Sequence, residues 1–282
     1  PKNPFPMEKN YRLTTRGKVE CYYSGLQSHK RYEKFWKNVE YDVDVVKFQA
    51  ATSIHLVFAI VLNNFTLYKD QTSSYRNKTL VLIAERMTKK YNISPPLDPI
   101  LIPDIFYYCE FYLLHFNRAD TWCALLSDDD LILARYHWNM RDYYLYSYGN
   151  PLNEQLGCAY ITQFVNSVED YLNGKSRMVA DIKIGQAFTE TVVLTTLGLY
   201  KNEYPLTADL TLEQMKSLKN IIQNVFYWTS TMYFEIYTSP GKDALLRLVV
   251  NFKPYIIPGC NGEYCKWSKF KDILSSKINC DF

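Results

Sequence analysis

Residues 177–200 read RMVADIKIGQAFTETVVLTTLGLY and decide the fold of the chain. Residues 177–184 carry apolar and β-branched side chains over a length typical of a strand, and Gly185 ends that run. Residues 189–199 then place apolar side chains at helical spacing. We therefore predict a strand that leads through a short turn into a helix, which is the building unit of an α/β protein.

The segments that follow extend this unit towards the C-terminus. We expect a helix over 212–226, where apolar side chains again recur at helical spacing. Two β-prone runs, 231–237 and 244–252, flank a Ser-Pro-Gly-Lys turn at 239–242, so they predict an antiparallel hairpin.

Before residue 174 the chain is mainly helical. Near the N-terminus, a β-prone segment at 11–15 precedes a helix over 20–35 that turns Tyr22, Leu26 and Phe35 inward. The helices expected in the middle part cover 45–67, 79–91, 101–115, 128–146 and 159–172. The sequence thus predicts an α/β core formed by residues 1–44 and 174–282, with a mainly α-helical subdomain at 45–173.

Three successive aspartates follow Ser127 at the predicted start of the helix over 128–146. Such a cluster could bind a cation. Serine is a preferred N-cap, however, and acidic side chains in the first turn favour the helix dipole. We therefore interpret Ser127 as an N-cap and predict no metal site here.

Composition excludes several classes of protein. The chain has 32 Lys and Arg against 29 Asp and Glu, and a net charge of +3 argues against a nucleic-acid partner. The longest apolar stretch, residues 54–62, is far shorter than the ~20 residues of a membrane span. Residues 1–4 do not resemble a signal peptide. With 10 Gly and no glycine-rich nucleotide motif, we expect a soluble, folded protein without a cofactor.

The seven cysteines show no CxxC pair, and the four histidines are not clustered, so no metal site is predicted. Cys260 and Cys265 bound a short loop that a disulfide could close. Cys109 and Cys123 flank a segment that could fold back on itself. Because seven is odd, at least one thiol is free or pairs between chains.

Three N-x-S/T triplets begin at Asn64, Asn77 and Asn92, within a single stretch of the helical part. Such triplets are acceptors for N-glycosylation in secreted proteins. Together with the cysteine spacing they favour a secreted glycoprotein.

Three further stretches carry a resemblance to a known family: residues 147–160 (SYGNPLNEQLGCAY), 197–206 (LGLYKNEYPL) and 246–260 (LRLVVNFKPYIIPGC). They resemble the histidine acid phosphatase family, in the branch of the phytases and the multiple inositol-polyphosphate phosphatases. The resemblance implies a remnant of a phosphoglycerate-mutase-like sheet with a large α-helical insertion. It also implies that the stretch ending at Cys260 and Cys265 is the family's closing strand and disulfide loop.

The reaction of that family needs a nucleophilic histidine in an Arg-His-Gly-x-Arg motif, arginines on the phosphoryl oxygens and an acid that protonates the leaving alkoxide. The histidines of this sequence are His29, His55, His115 and His137. None follows an arginine and none precedes glycine, aspartate or alanine, so the sequence given contains neither histidine motif.

The family's proton-donor site can be located by counting back from Gly198. The spacing places Gln186, Ala187 and Phe188 where the family carries His-Ala-Glu, so both titratable groups are replaced. Glu190 is a weak alternative acid, since two helical residues turn it about 200° away from Phe188. A phosphate-binding arginine of the family falls near Glu20 in this sequence, and a carboxylate there would repel phosphate.

These replacements predict a catalytically inactive, secreted relative that acts by binding a small ligand or a protein partner in a remodelled cleft. The expected ligand-binding residues are Gln186, Phe188, Arg12 and Arg16, and uncharged and aromatic side chains favour an apolar or aromatic ligand. The basic residues near the N-terminus could attract anions, although a solvated basic face is the simpler interpretation.

Two alternatives remain open. The chain could be the C-terminal part of a processed phosphomonoesterase whose nucleophile lies on another segment. It could instead have a structural or assembly role as a homo-oligomer, through tyrosine-rich surfaces and an unpaired cysteine.

Overall fold

In a computed structural model of the chain, residues 14–40, 42–50, 65–218 and 229–278 are described. Helices α1 and α2 and strand β1 come first, and a run of helices follows, in which a π-helical turn (Arg76–Leu80) joins α3 to α4. The bounds are α1 (Thr15–Arg31), α2 (Glu33–Trp36), β1 (Val46–Ala50), α3 (Phe65–Tyr75), α4 (Val81–Tyr91), α5 (Ile102–Phe116), α6 (Asp128–Tyr146), α7 (Asn153–Leu156) and α8 (Cys158–Leu172).

The C-terminal part alternates strands and helices. Strand β2 leads into helix α9, as residues 177–200 predict, and a short helix α10 precedes the hairpin. The bounds are β2 (Ala180–Ile184), α9 (Ala187–Thr196), α10 (Leu212–Ser217), β3 (Met232–Tyr237), β4 (Leu245–Val250), β5 (Lys253–Tyr255), β6 (Tyr264–Lys266) and α11 (Trp267–Ile273).

The strands form two sheets. β1 pairs in parallel with β2, and the register runs from Val46 opposite Ala180 to Ala50 opposite Ile184. In the second sheet, β4 lies between β3 and β5 and also pairs with β6, and every pairing is antiparallel. The predicted hairpin of two strands is confirmed and is part of this four-stranded sheet.

A first hydrophobic core joins the helices of the middle part. The rings of Tyr75 and Tyr136 meet edge to face at 5.2 Å, where the end of α3 crosses α6. The Tyr75 hydroxyl donates to the Leu133 carbonyl, and the Tyr136 hydroxyl donates to the Thr207 carbonyl. Both phenols are therefore buried with their polar ends satisfied, which buried tyrosines require.

A second core lies between the four-stranded sheet and helices α8, α9 and α11. Side chains at alternate positions of β4, including Leu246 and Leu248, point inward and are fully buried. Phe270 of α11 is also fully buried. Ile161 of α8 belongs to this core, although the sequence places it in the helical subdomain. The boundary at 173–174 stays a prediction.

The N-cap predicted for α6 is confirmed. The Ser127 hydroxyl accepts from the Asp130 backbone N–H at 3.2 Å, and the Asp130 carboxylate accepts from the Ser127 N–H at 3.0 Å. These two bonds form a capping box. Arg86 also pairs with Asp130. The aspartate cluster therefore serves the helix start, in agreement with the sequence interpretation.

Replacing Ser127 with alanine removes one capping hydrogen bond, so we expect Ser127→Ala to lower the free energy of unfolding by about 1 kcal/mol. Chemical denaturation monitored by circular dichroism measures this loss. The control is Ser239→Ala in the exposed turn before β4, where stability should change by less than about 0.5 kcal/mol. Equal effects of the two changes would contradict the capping role.

Helix α1 departs most from its predicted packing. None of its 17 residues is fully buried, Tyr22 is 67% exposed, and Phe35 of α2 is 39% exposed. The prediction that Tyr22 and Phe35 point inward is therefore wrong, whereas Leu26 is half-buried. Polar contacts hold the helix instead, since the hydroxyls of Ser28 and Tyr233 lie 2.6 Å apart and Arg31 reaches Glu235.

Several predicted bounds are corrected. Residues 46–50 form β1 instead of the start of a helix, because pairing with β2 fixes their extended backbone. Thr14 and Thr15 cap and open α1, so the expected β-prone segment is wrong at its end, and residues 11–13 lie outside the described residues. The helix that begins at Leu212 ends at Ser217, earlier than predicted, because Leu218 has an extended backbone; residues 219–228 lie outside the described residues.

The two predicted disulfides are confirmed. Cys109 and Cys123 join with Cα atoms 4.5 Å apart, and Cys260 and Cys265 join with Cα atoms 5.3 Å apart. Cys21 on α1 is a free, exposed thiol. Within the described ranges, no helix is long and apolar enough to cross a membrane.

Candidate functional site

The turn between β2 and α9 presents the predicted site. Gln186 has an extended backbone and immediately precedes α9, and its side chain is exposed. Ala187, the first helical residue, is exposed as well. The strand thus delivers this short stretch to the surface at the start of a helix, where the resemblance locates a proton donor.

Phe188 faces the helical part of the molecule. Its ring stacks on that of Tyr146, the last residue of α6, with centroids 5.7 Å apart and planes 26° apart. Both side chains are half-buried, and burial raises the pKa of the Tyr146 phenol. An aromatic pair therefore lies where the resemblance locates the family's acid, and neither side chain releases a proton near neutral pH.

Glu190 lies on another face of α9. Its carboxyl is half-buried, and burial raises its pKa despite a hydrogen bond with Ser230. Burial, together with the charges of Asp181 and Glu190, raises the pKa of Tyr160 on α8 to about 12. Glu190 thus lies near α8 and β2, whereas Phe188 contacts α6, in agreement with the angle expected from helix geometry.

Two of the basic residues near the N-terminus form ion pairs with carboxylates. Arg16 pairs with Glu20 at 2.8 Å along α1, and Arg31 pairs with Glu235 at 3.2 Å. The charges of Arg16 and Glu20 also act on His115, whose pKa burial lowers. Glu20, which the resemblance places near a phosphate-binding arginine of the family, therefore forms an exposed ion pair within its own helix. Arg12 lies outside the described residues, and no contact links Arg16 to Gln186 or Phe188 within the described part of the chain.

Two of the three predicted glycosylation acceptors lie in the described part of the chain. Asn77 lies in the π-helical turn and Asn92 ends α4, and both side chains are exposed, as a glycan acceptor must be. Asn64 lies outside the described residues. In the described ranges, no group of three or more His, Cys, Asp or Glu side chains could hold a metal ion.

Sequence reasoning missed the part of the site that α6 contributes. Tyr146 forms one side of the aromatic pair, and Arg141 and Asp142 lie close enough for their charges to act on its phenol. His137 and Arg141 are four residues apart, a spacing that places both on one face of a helix. This spacing was the available signal, but it does not predict that Tyr146 contacts α9.

Comparisons with known proteins found relatives in sequence. No protein-family model matches the chain. The chain is 22% identical over 270 residues to multiple inositol polyphosphate phosphatase 1 of Dictyostelium discoideum, covering 77% of the chain and 42% of that protein. It is 24% identical over 203 residues to the repressible acid phosphatase of Kluyveromyces lactis, covering 68% and 40%.

A solved structure has a similar fold. The crystal structure of the phytase from D. castellii superposes with a TM-score of 0.58 at 18% sequence identity, over 76% of this chain and 44% of that chain. The α/β fold with a helical insertion is thereby confirmed. The chain spans less than half the length of these relatives. In sequence and in fold, its relatives are multiple inositol polyphosphate phosphatases, an acid phosphatase and a phytase, in agreement with the resemblance to the histidine acid phosphatase family.

Proposed function

We propose that this chain is a secreted, phosphatase-like binding protein that takes up an apolar or aromatic ligand beside Gln186 and Phe188 and does not turn over phosphomonoesters. The stacked pair of Phe188 and Tyr146 supports the proposal, because aromatic rings lie where the resemblance predicts a titratable acid. Without a proton donor, the leaving alkoxide of a phosphomonoester stays unprotonated and the reaction stalls.

The proposal that the protein is secreted has separate support. Two disulfides form within the described residues, and such bonds persist in oxidising compartments. The exposed positions of Asn77 and Asn92 agree with glycosylation. A shift in the mass of the natively produced protein after enzymatic deglycosylation tests this part.

We expect the purified chain to release no phosphate from 4-nitrophenyl phosphate or from phytate above background. In thermal-shift experiments, a neutral aromatic compound such as biphenyl-4-methanol should raise the melting temperature. Phe188→Ala should weaken this binding at least tenfold, since it removes one wall of the aromatic pair. The control Phe35→Ala removes an exposed ring from α2 and should leave binding unchanged. Phosphate release, or stabilisation by phytate and by no aromatic compound, would overturn the proposal.

A second candidate is the C-terminal part of a processed phosphomonoesterase. Two observations favour it: the chain spans under half the length of its relatives, and the two-stranded parallel sheet leaves Phe48 and Ile184 exposed. Parallel sheets are normally covered on both faces. Sequencing the encoding transcript and measuring the intact mass of the natively produced protein test this alternative. A longer precursor that contains Arg-His-Gly would support an enzyme.

An assembly role is the third candidate. Cys21 is free and exposed on α1, next to the exposed rings of Tyr22 and Tyr23. A covalent dimer on a non-reducing gel that disappears in Cys21→Ser would support it. A monomer in both variants at all concentrations would contradict it.

A further inference from the structure

Helix α1 turns its polar side chains towards the rest of the protein. Ser24, Ser28 and Arg31 contact β3 or the residues just before it, through hydrogen bonds at 3.5 Å and 2.6 Å and an ion pair at 3.2 Å. These positions are three or four residues apart, so they lie on one side of the helix. The side of α1 that packs on the protein is therefore polar.

The opposite side of α1 carries an apolar stripe formed by Val19, Tyr22, Tyr23 and Leu26, which we call the α1 stripe. At about 100° per residue, these positions span an arc of about 100°, centred about 160° from the polar side. Val19 is 47% exposed and Tyr23 is 56% exposed, and the rings of Tyr22 and Tyr23 lie 5.7 Å apart. The helix thus reverses the usual arrangement, in which the apolar stripe of a helix faces the core.

Basic side chains border the α1 stripe. By helix geometry, Lys18 lies along one side of the stripe, Arg16 lies along the other side, and Lys30 follows one turn after its last residue. Lys18 and Lys30 are exposed and form no ion pair in the part of the chain that the structure describes, whereas Arg16 pairs with Glu20. Helix α1 has four Lys or Arg residues and one acidic residue, against 32 and 29 in the whole chain. The charge of this one helix therefore equals the net charge of the chain.

An apolar stripe with basic borders matches the surface of an anionic lipid bilayer. Tyrosine rings favour the level of the lipid headgroups, apolar side chains enter the boundary with the acyl chains, and Lys and Arg attract anionic headgroups. An anionic polysaccharide would contact the basic borders but would leave the α1 stripe exposed to water. A second copy of this chain would bring Lys18 and Lys30 against like charges, which disfavours that contact.

We propose that the protein binds to anionic lipid surfaces through α1, which lies parallel to the surface with the α1 stripe in the headgroup region and with Lys18 and Lys30 against anionic headgroups. The polar contacts with β3 keep α1 on the protein while its apolar side meets the lipid. This inference goes beyond the proposed binding of an aromatic ligand, because it concerns a different surface and does not depend on Phe188.

Co-sedimentation of the purified chain with lipid vesicles tests the proposal. The wild type should bind vesicles of equal parts phosphatidylcholine and phosphatidylserine at least tenfold more tightly than vesicles of phosphatidylcholine alone. The glutamine variant, Lys18→Gln with Lys30→Gln, should lose most of that preference, because each lysine at an anionic surface contributes about fivefold in affinity. The matched control, Lys89→Gln with Lys90→Gln, changes two exposed lysines at the end of α4 and should alter affinity by less than about twofold.

A second pair of variants tests the apolar half of the surface. The serine variant, Tyr22→Ser with Tyr23→Ser, should weaken binding to the anionic vesicles at least tenfold, because it removes most of the exposed apolar area of the α1 stripe. The matched control is Tyr107→Ser with Tyr108→Ser, two adjacent tyrosines of α5 that are 50% and 46% exposed and should leave binding unchanged. Phe188→Ala should also leave vesicle binding unchanged, which separates this surface from the proposed ligand site.

Equal binding to both kinds of vesicle, or no binding to either, overturns the proposal, as does a loss in the controls that matches the loss in the α1 variants. If heparin binds more tightly than the vesicles, and the serine variant binds both as well as the wild type does, the partner is an anionic polysaccharide. A dimer in gel filtration that the serine variant dissociates would show that a second copy covers the α1 stripe. Melting curves show whether each variant is folded. If the serine variant is unfolded, wild-type binding that neither added salt nor the glutamine variant weakens overturns the proposal.

Discussion

Phe270→Ala should lower the free energy of unfolding by about 3–5 kcal/mol, the cost of deleting a buried aromatic ring and leaving a cavity. Phe270 is fully buried in the second core. Its ring stacks on Trp267 with centroids 5.5 Å apart and meets Phe164 edge to face at 6.2 Å. The substitution therefore separates α11 from α8 and from the sheet, and urea denaturation measures the loss.

The same substitution at an exposed ring provides the control. Phe35 of α2 contacts Trp36 at 4.8 Å but is 39% exposed, so Phe35→Ala should cost less than about 1 kcal/mol. A loss at Phe270 as small as the loss at Phe35 would mean that α11 does not close this core.

Glu235→Gln is expected to have the second largest effect, because Glu235 is the centre of the polar contacts that hold α1. Its Oε1 accepts from the Tyr32 hydroxyl at 2.7 Å and from Arg31 Nη2 at 3.2 Å, and its Oε2 accepts from the Tyr237 hydroxyl at 2.8 Å. Arg247 lies 3.7 Å from Oε2. Glutamine keeps the shape of the side chain but leaves the two guanidinium groups without this charge.

Removing one partner of a fully buried ion pair costs about 3–5 kcal/mol. We expect about 2–3 kcal/mol here, because Arg247 keeps Glu263 at 2.8 Å and both guanidinium groups reach solvent. Hydrogen exchange should rise first in α1, which has no fully buried residue to hold it. The control Glu33→Gln breaks an exposed pair with Lys37 and should cost at most about 0.5 kcal/mol.

The same carboxylate gives stability a defined pH dependence. Burial alone would raise the pKa of Glu235, but the hydrogen bonds from Tyr32, Tyr237 and Arg31 outweigh it, and the pKa lies below the ordinary 4.5. A lowered pKa in the folded state contributes stability that is fully present above about pH 4.5. That contribution is lost as the pH falls through the lowered pKa.

Denaturation curves at several pH values should therefore show the wild type losing its advantage over Glu235→Gln below about pH 4.5. A difference between the two proteins that stays constant down to pH 2 would show that the charge of Glu235 is not the source of the effect.

The ion pairs of the arginine side chains bear on the binding proposed for the turn between β2 and α9. Arg16 and Arg31 are paired with carboxylates, and Phe188 stacks on Tyr146 where the resemblance locates an acid. Arg141, on the helical part of the molecule, is likewise paired, with Asp142. These pairs leave the contact of Phe188 with Tyr146 as the feature of the turn between β2 and α9 that supports the proposed binding.

Much of the local structure could be predicted from short stretches of sequence. The helix over 128–146 has the predicted bounds, and Ser127 caps it as expected. The hairpin and the strand before Gly185 also follow their patterns. These features depend on spacing within one segment, on caps and on turn residues, so they need no knowledge of the rest of the chain.

Features that depend on distant partners were decided by the tertiary structure. Val46–Ala50 reads equally well as a helix, and it becomes a strand because it pairs with β2, whose residue Lys183 lies 134 positions beyond its partner Gln49. The short strands β5 and β6 exist only through their pairing with β4. The outward rings of α1 likewise follow from the polar contacts with β3, which no periodicity reveals.

The candidate site likewise combines features that the sequence predicts with features that depend on the tertiary structure. The sequence by itself predicts which side chains stand where the resemblance locates the family's acid, because the count from Gly198 leads to Gln186 and Phe188. Only the tertiary structure brought Tyr146 to Phe188, since their contact depends on how α6 packs against α9. Spacing along a chain encodes local geometry, whereas the meeting of two helix faces depends on side chains from every element that packs between them.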